Sequence, residues 1–360
     1  MTLNNRLFPV IFIQVLLYLL PVKGDDFVVA GYLPDYRSNI NVNASALHLT
    51  DLMLFSMSPE AVIEEKKNGC CVGREHFELI RKARAYKKEE QKKRLKLWLT
   101  IGGGERSDGF KELMKKENQQ GQYEFVLKLL KLCKREQLDG IDFDYNSITE
   151  TDEWKDYIKF LELTLPIFKN HTQVRKPLMF SMSLRRGFLI PKALCEAIDR
   201  VNIQAYDLIT RDRQENRKPR HHAMLMDVQE AVEEFLKVCP STKIVLGIPA
   251  YARHAKNSGL TKTYAEIVGE LHTFTNLKLL TKDQDLLTLL HVETVDYYFG
   301  DKKLSAVDGY YFDGPGDVAL KVRYAKKAEL GGVYIWELGQ DLFDSEYEGG
   351  ELLQAVRDEL

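Results

Sequence analysis

From residue 27 almost to the end of the chain, short apolar segments alternate with longer ones in which apolar residues recur every three or four positions. The short segments predict strands at Phe27–Leu33, Leu52–Met57, Leu95–Ile101, Leu138–Asn146, Pro177–Leu184, Arg200–Tyr206, Lys243–Ile248 and Gly332–Trp336. The longer ones predict amphipathic helices, chiefly Glu75–Arg94, Gln120–Gln137, Glu150–Phe168, Lys192–Ile198 and Asp227–Val238, with a short helical passage from Ala44. Strands separated by helical connections imply an α/β fold whose parallel sheet closes into a (β/α)8 TIM barrel rather than an open sheet. One connection, from Tyr251 to about Gly316, is too long for a plain loop. It contains a predicted helix at Tyr264–His272 and aromatic stretches at Tyr297-Tyr298-Phe299 and Tyr310-Tyr311-Phe312, so it reads as a small inserted α+β subdomain between strands seven and eight, about 251–316.

The fourth strand carries the chemistry. With a period of two, Gly140, Asp142, Asp144 and Asn146 point one way and Ile141, Phe143 and Tyr145 the other. Buried carboxylates are costly unless hydrogen-bonded or used, so two in alternate positions mark a site at the strand's end. A calcium loop would need a Glu at a set distance after Asp142, and none stands there. A solvated edge strand would not carry Ile141, Phe143 and Tyr145 on one face.

Composition narrows the class. The 360 residues are 44% hydrophobic and 29% charged, with net charge -2, as in a globular protein without a basic field for nucleic acid. Arg6 followed by the apolar run Leu7–Leu20 and by Val22-Lys23-Gly24 reads as a signal peptide over residues 1–24, leaving 25–360 as one mature barrel domain. A membrane anchor is the rival, but a run this short, broken by Gln14 and flanked by Pro21, spans a bilayer poorly. The cysteines Cys70, Cys71, Cys133, Cys195 and Cys239 fit no zinc pattern, and no metal or cofactor is implied. Cys195 and Cys239 sit near the ends of successive predicted helices, where they would either pair or remain separate buried thiols. Asn43-Ala44-Ser45 and Asn170-His171-Thr172 are glycosylation sequons.

In such barrels the site lies at the C-terminal ends of the strands. Those ends carry Tyr32, Thr100 with Gly102, Gly103 and Gly104, Asp142, Asp144, Asn146, Met182, Tyr206, Asp207 and Trp336. Aromatic rings stack on pyranose faces while carboxylates and phenols bind hydroxyls and amides, so the set suits a sugar. Core packing would account for Trp336 alone and a helix cap for Tyr206-Asp207; convergence on one face favours a site.

These residues resemble glycoside hydrolase family 18, the chitinases and chitinase-like proteins. Residues Asp139–Asn146 match the family signature Asp-Gly-x-Asp-x-Asp-x-Glu at every fixed position but the last. Leu99-Thr100-Ile101-Gly102-Gly103 is similar to its Ser-x-Gly-Gly motif, Gln204-Ala205-Tyr206-Asp207 to its Tyr-Asp, and Gly332–Trp336 to its eighth-strand Trp. Tyr264-Ala265-Glu266 and Gly309–Phe312 resemble its inserted region. The resemblance implies a substrate-assisted reaction in which the final Glu protonates the departing oxygen and Asp144 orients the acetamido group. Asp142 would then tune Asp144, Tyr206 and Asp207 would hold the acetamido carbonyl and the ring, and Trp336 would floor the pocket.

Asn146 stands where the acid belongs. It has no titratable proton and is one methylene shorter than Glu, so it fails in chemistry and in reach while still able to hydrogen-bond. The sequence therefore implies a secreted, non-hydrolytic chitinase-like protein binding chitin or another N-acetylglucosamine-containing glycan. One alternative is a weakly active glycosidase using another acid such as Asp207 or Glu337. Another is an interaction protein using the barrel as a scaffold, in which the cationic run Arg211–His222 would take an acidic glycan or protein. Arg357-Asp358-Glu359-Leu360 resembles an endoplasmic-reticulum retrieval signal, although Leu352, Leu353, Val356 and Leu360 also form a helix face.

Overall fold

A computed structural model of the protein describes residues 27–37, 40–64, 72–145, 151–170, 177–208, 221–271, 297–299, 302–304 and 306–360. Seven parallel strands come first: β1 (Val28–Pro34), β2 (Asp51–Met57), β3 (Lys96–Gly102), β4 (Gly140–Asp144), β5 (Met179–Arg185), β6 (Arg200–Gln204) and β7 (Ile244–Pro249). After them come β8 (Tyr251–His254), β9 (Thr261–Thr263), β10 (Tyr297–Phe299), β11 (Lys302–Leu304), β12 (Ala306–Val307), β13 (Tyr310–Tyr311) and β14 (Gly332–Trp336). Strands β1 to β7 and β14 close into one barrel in the order β1-β14-β7-β6-β5-β4-β3-β2, so each of the eight predicted strands is a stave. The helices Arg74–Gln91, Gln119–Glu136, Thr151–Asn170 and Leu225–Leu236 lie within a few residues of the predicted ones, whereas the helix Pro315–Lys327 before β14 was not among the predicted elements.

Beyond β7, a four-stranded sheet in the order β12-β13-β8-β9 and the hairpin β10-β11 occupy the region expected to hold an insertion, with a helix at 264–271. Residues 272–296 of that region lie outside the described residues.

Strand parity divides the buried side chains into two sets. Outward ones such as Leu97, Leu99, Ile141, Phe143, Phe180, Ile203 and Leu246 pack with the helices in the large apolar core. Inward ones form a smaller cluster of Tyr32, Met53, Phe55, Trp98, Tyr206, Tyr251 and Tyr334. Threaded through it are buried polar groups, among them Asp51, Thr100, Asp142, Ser181, Arg200 and Asn202. Near the N-terminal end, Asp51 Oδ1 accepts from Trp98 Nε1 at 2.7 Å and from Arg200 Nη1 at 2.8 Å. The inside of this barrel is hence a stack of hydrogen-bonded layers, and the apolar core is the ring outside it.

Cys195 and Cys239 form a disulfide between the ends of neighbouring helices, while Cys133 is buried as a free thiol whose pKa burial pushes up to about 12. Cys70 and Cys71 lie outside the described residues. The C-terminal helix runs Glu351–Asp358 and buries Leu352, Leu353 and Val356, whereas Leu360, expected on the same face, is beyond its end and exposed.

Asp341 fastens that helix to the barrel by accepting from the backbone N–H of Leu342 at 2.8 Å, Leu352 at 3.0 Å and Leu353 at 3.1 Å. Burial outweighs those bonds and pushes its pKa up to about 7. The proton bound in the folded state stabilises fully below the unfolded value of 3.8, and that contribution is lost as pH rises to about 7. Thermal unfolding of the unmodified protein and Asp341→Asn across this window should show it. The unmodified protein should lose roughly 1–4 kcal/mol relative to the variant between the two ends.

Candidate functional site

Register builds the centre of the site. Asp142 on β4 lies level with Thr100 on β3 and Ser181 on β5. Its carboxylate accepts four hydrogen bonds: Oδ1 from Ser181 Oγ at 2.5 Å and Asn202 Nδ2 at 3.1 Å, Oδ2 from the Tyr32 hydroxyl at 3.0 Å and Thr100 Oγ1 at 3.2 Å. Burial is the largest influence on Asp142 and holds its pKa above the ordinary carboxylate range, although all four bonds pull the other way.

Asp144, two residues on and therefore on the same face, reaches the mouth of the barrel and lines an open cleft of about 570 Å³. Its backbone oxygen accepts from Gly103 N–H at 2.7 Å. This close approach is why the turn after β3 requires glycine. A Cβ on Gly102 (φ 92) would lie 2.1 Å from the Asp144 oxygen, and one on Gly103 (φ 78) 2.4 Å from the Phe55 ring and 2.8 Å from Asp144 Oδ2.

Aromatic and charged groups make the walls. Trp336 is half-buried, its ring edge-on to Phe55 at 4.8 Å and to Tyr32 at 5.2 Å. The Tyr206 and Tyr334 hydroxyls share a hydrogen bond at 3.3 Å, and burial pushes the Tyr206 phenol well above its usual range, so it keeps its proton. Asp207 follows β6 in the left-handed region (φ 56). Its carboxylate takes a two-pronged contact from Arg253, with Nη2 to Oδ2 at 2.6 Å, and lies 3.0 Å from His222 Nδ1. Burial, the largest influence on it, acts upward, but His222 and Arg253 together outweigh it and hold Asp207 below the ordinary range. Among the described residues no group of three His, Cys, Asp or Glu is placed to hold a metal. The cleft presents carboxylate, amide, phenol, guanidinium and indole groups, which suit hydroxyls, an acetamido group and the apolar face of a sugar ring.

Of the residues singled out in the sequence, Gly103, Asp144, Tyr206, Asp207 and Trp336 meet in this cleft. Asp142 and Tyr32 lie beneath it, buried and bonded to each other, so neither offers its polar atoms to a ligand. Met182 is a correction. It shares parity with Phe180 and Leu184, lies level with Phe143, and packs in the outer core; the inward positions of β5 are Ser181 and Ser183. His221 and His222 are a second correction, since both are buried and neither belongs to a cationic rim. Asn146 and Arg211 to Arg220 lie outside the described residues. Glu337 is buried, accepts from Arg37 Nε at 2.7 Å and does not line the cleft. Asn43 and Asn170 are exposed.

Several lining residues escaped the sequence reading: Tyr36, Phe55, Gln204, Tyr251 and Arg253. Gln204 had a signal, its parity with Asn202 on a strand ending in Tyr206-Asp207. Tyr251 and Arg253 alternate just past Pro249, where the chain seemed already to have left the barrel.

Residues 30–341 match the family model of glycosyl hydrolases family 18, and the chain belongs to that family. Among solved structures, a plant class V chitinase mutant from Cycas revoluta in complex with (GlcNAc)3 aligns with TM-score 0.72 at 19% identity, over 92% of this chain and 99% of that one. The chitinase ChiB from the chitin utilization locus of Flavobacterium johnsoniae aligns with TM-score 0.65 at 22% identity, over 93% and 94% of the two chains. YKL-39, solved in the presence of chitooligosaccharides, aligns with TM-score 0.69 at 17% identity, over 93% and 99%. No curated protein matches the sequence.

Replacing Asp142 by Leu leaves the Ser181, Asn202, Tyr32 and Thr100 donors without their acceptor in a dry interior. At about 1–3 kcal/mol for each buried donor left unsatisfied, the loss should be several kcal/mol, and Asp142→Asn should lose less. Urea unfolding of both variants measures the difference.

Proposed function

We propose that this protein is a secretory-pathway chitinase-like protein that binds N-acetylglucosamine-containing glycans in the barrel-top cleft and does not hydrolyse them. The observation that carries the reading is a contrast along one strand: Asp142 accepts four hydrogen bonds beneath the cleft and Asp144 lines it, while the sequence has an amide, Asn146, where the family resemblance requires a proton donor. Loss of a general acid typically lowers rate by about 10²- to 10⁴-fold and leaves hydrogen bonding to a ligand available. Chitooligosaccharides named with the Cycas chitinase and YKL-39 support the choice of ligand. Entry into the secretory pathway is supported by the signal-like segment 1–24, the Cys195–Cys239 disulfide and the exposure of Asn43 and Asn170. Secretion is the destination we favour over retrieval through Arg357–Leu360.

A weakly active hydrolase would need another acid. Asp207 is held ionised by Arg253 and His222, and Glu337 is tied to Arg37 away from the cleft, which argues against both substitutes. Calorimetric titration of chito-oligosaccharides, paired with an assay of sugar release, tests the proposal. The expected result is binding without turnover, lost in Trp336→Ala, with hydrolysis appearing in Asn146→Glu. Clear turnover by the unmodified protein would sink the non-hydrolytic reading, and absence of binding would favour a scaffold role.

A further inference from the structure

His222 has no assigned part in this cleft, and the sequence placed it at the end of the cationic run Arg211–His222. It is fully buried, with its ring stacked parallel to His221 at 5.3 Å and set 5.0 Å from the Tyr251 ring. Three contacts join its residue to the segment after β6: Leu208 N–H donates to the His222 carbonyl at 2.9 Å, His222 Nδ1 lies 3.0 Å from Asp207 Oδ1, and the Asp207 backbone N–H approaches the same Nδ1 at 3.4 Å. A carboxylate Oδ1 is an acceptor only, so the shorter 3.0 Å contact puts the hydrogen on Nδ1, and in that tautomer the longer 3.4 Å approach of the Asp207 N–H is not a hydrogen bond. The other nitrogen, Nε2, is buried with no hydrogen-bond partner among the described residues, and Asp207 is the ring's polar contact on the cleft side. Arg253 grips the same carboxylate, with Nε on the Oδ1 that His222 contacts and Nη2 on Oδ2, and its guanidinium is further held by the Ser258 carbonyl.

We propose that His222 is a positioning residue for glycan recognition: by donating from Nδ1 it fixes the Asp207 carboxylate, and through it the Arg253 guanidinium, in the orientation presented to the sugar. The proposal rests on the glycan-binding reading above. His222 never meets the ligand. The charged and titratable groups around it are Asp207 and Arg253 toward the cleft, Tyr251 on β8, His221 beside it, and Asp313 and Lys321 beyond His221.

The test compares His222→Asn, whose amide can place a donor near Nδ1, with His222→Leu, which cannot. Both are titrated with (GlcNAc)4 across pH, and the Asp207 carboxyl is followed by ¹³C NMR without ligand. A hydrogen bond to a charged group corresponds to about 10- to 100-fold in affinity. His222→Leu should weaken binding by that factor, raise the Asp207 midpoint and move the acid limb of binding to higher pH; His222→Asn should largely restore all three. Equal binding and an unmoved Asp207 midpoint in His222→Leu would overturn the proposal. So would equal losses in both variants with the acid limb in place, which mark a merely structural role. If the unmodified protein binds no (GlcNAc)4, the glycan reading itself falls and the proposal with it.

Discussion

The carboxylate of Asp142 is the group on which this barrel turns. An ion in a dry interior is expensive unless its lone pairs are filled, and here the donors arrive from β1, β3, β5 and β6 at once. They can converge only if the sheet is closed and its register held, because a slip of one residue on any of those strands would turn its donor outward. Closure and satisfaction therefore depend on each other. The Asp51 layer, with Trp98 and Arg200, repeats the arrangement nearer the N-terminal end.

Above this support, the cleft is assembled from groups that already have partners. Asp207 is clasped by Arg253, Tyr206 shares a hydrogen bond with Tyr334, and Trp336 leans on Phe55 and Tyr32. Held in place before a ligand arrives, such groups lose little conformational freedom on binding, which favours recognition. Hydrolysis asks for something else, a side chain that can surrender a proton at the leaving oxygen. An amide such as that of Asn146 has no titratable proton to give, which is the chemical basis of the proposed binding role.

Much of this was legible along the chain because parity is a local property. The alternation in β4 placed Asp142 and Asp144 on one face without knowledge of the rest, and strand ends following helices located Tyr206, Asp207 and Trp336. The same reasoning failed on β5. Ser181, Met182 and Ser183 alternate too, but nothing local says whether the hydroxyls or the thioether face inward, and an apolar residue was chosen for a barrel interior that proved polar. His221 and His222 were misplaced for a related reason: next to arginines and lysines they read as surface, although their rings lie against Tyr311 and Tyr251.

By itself the sequence determined the eight strands, their helical connections, the carboxylate file on the fourth and the amide at its end, since each depends on residues a few positions apart. Tertiary structure alone decided which donors fill Asp142, that Arg253 and His222 hold Asp207, and that Cys195 pairs with Cys239. Those contacts join residues from 15 to more than a hundred positions apart. Their distances follow from barrel closure and strand register, which no local pattern encodes.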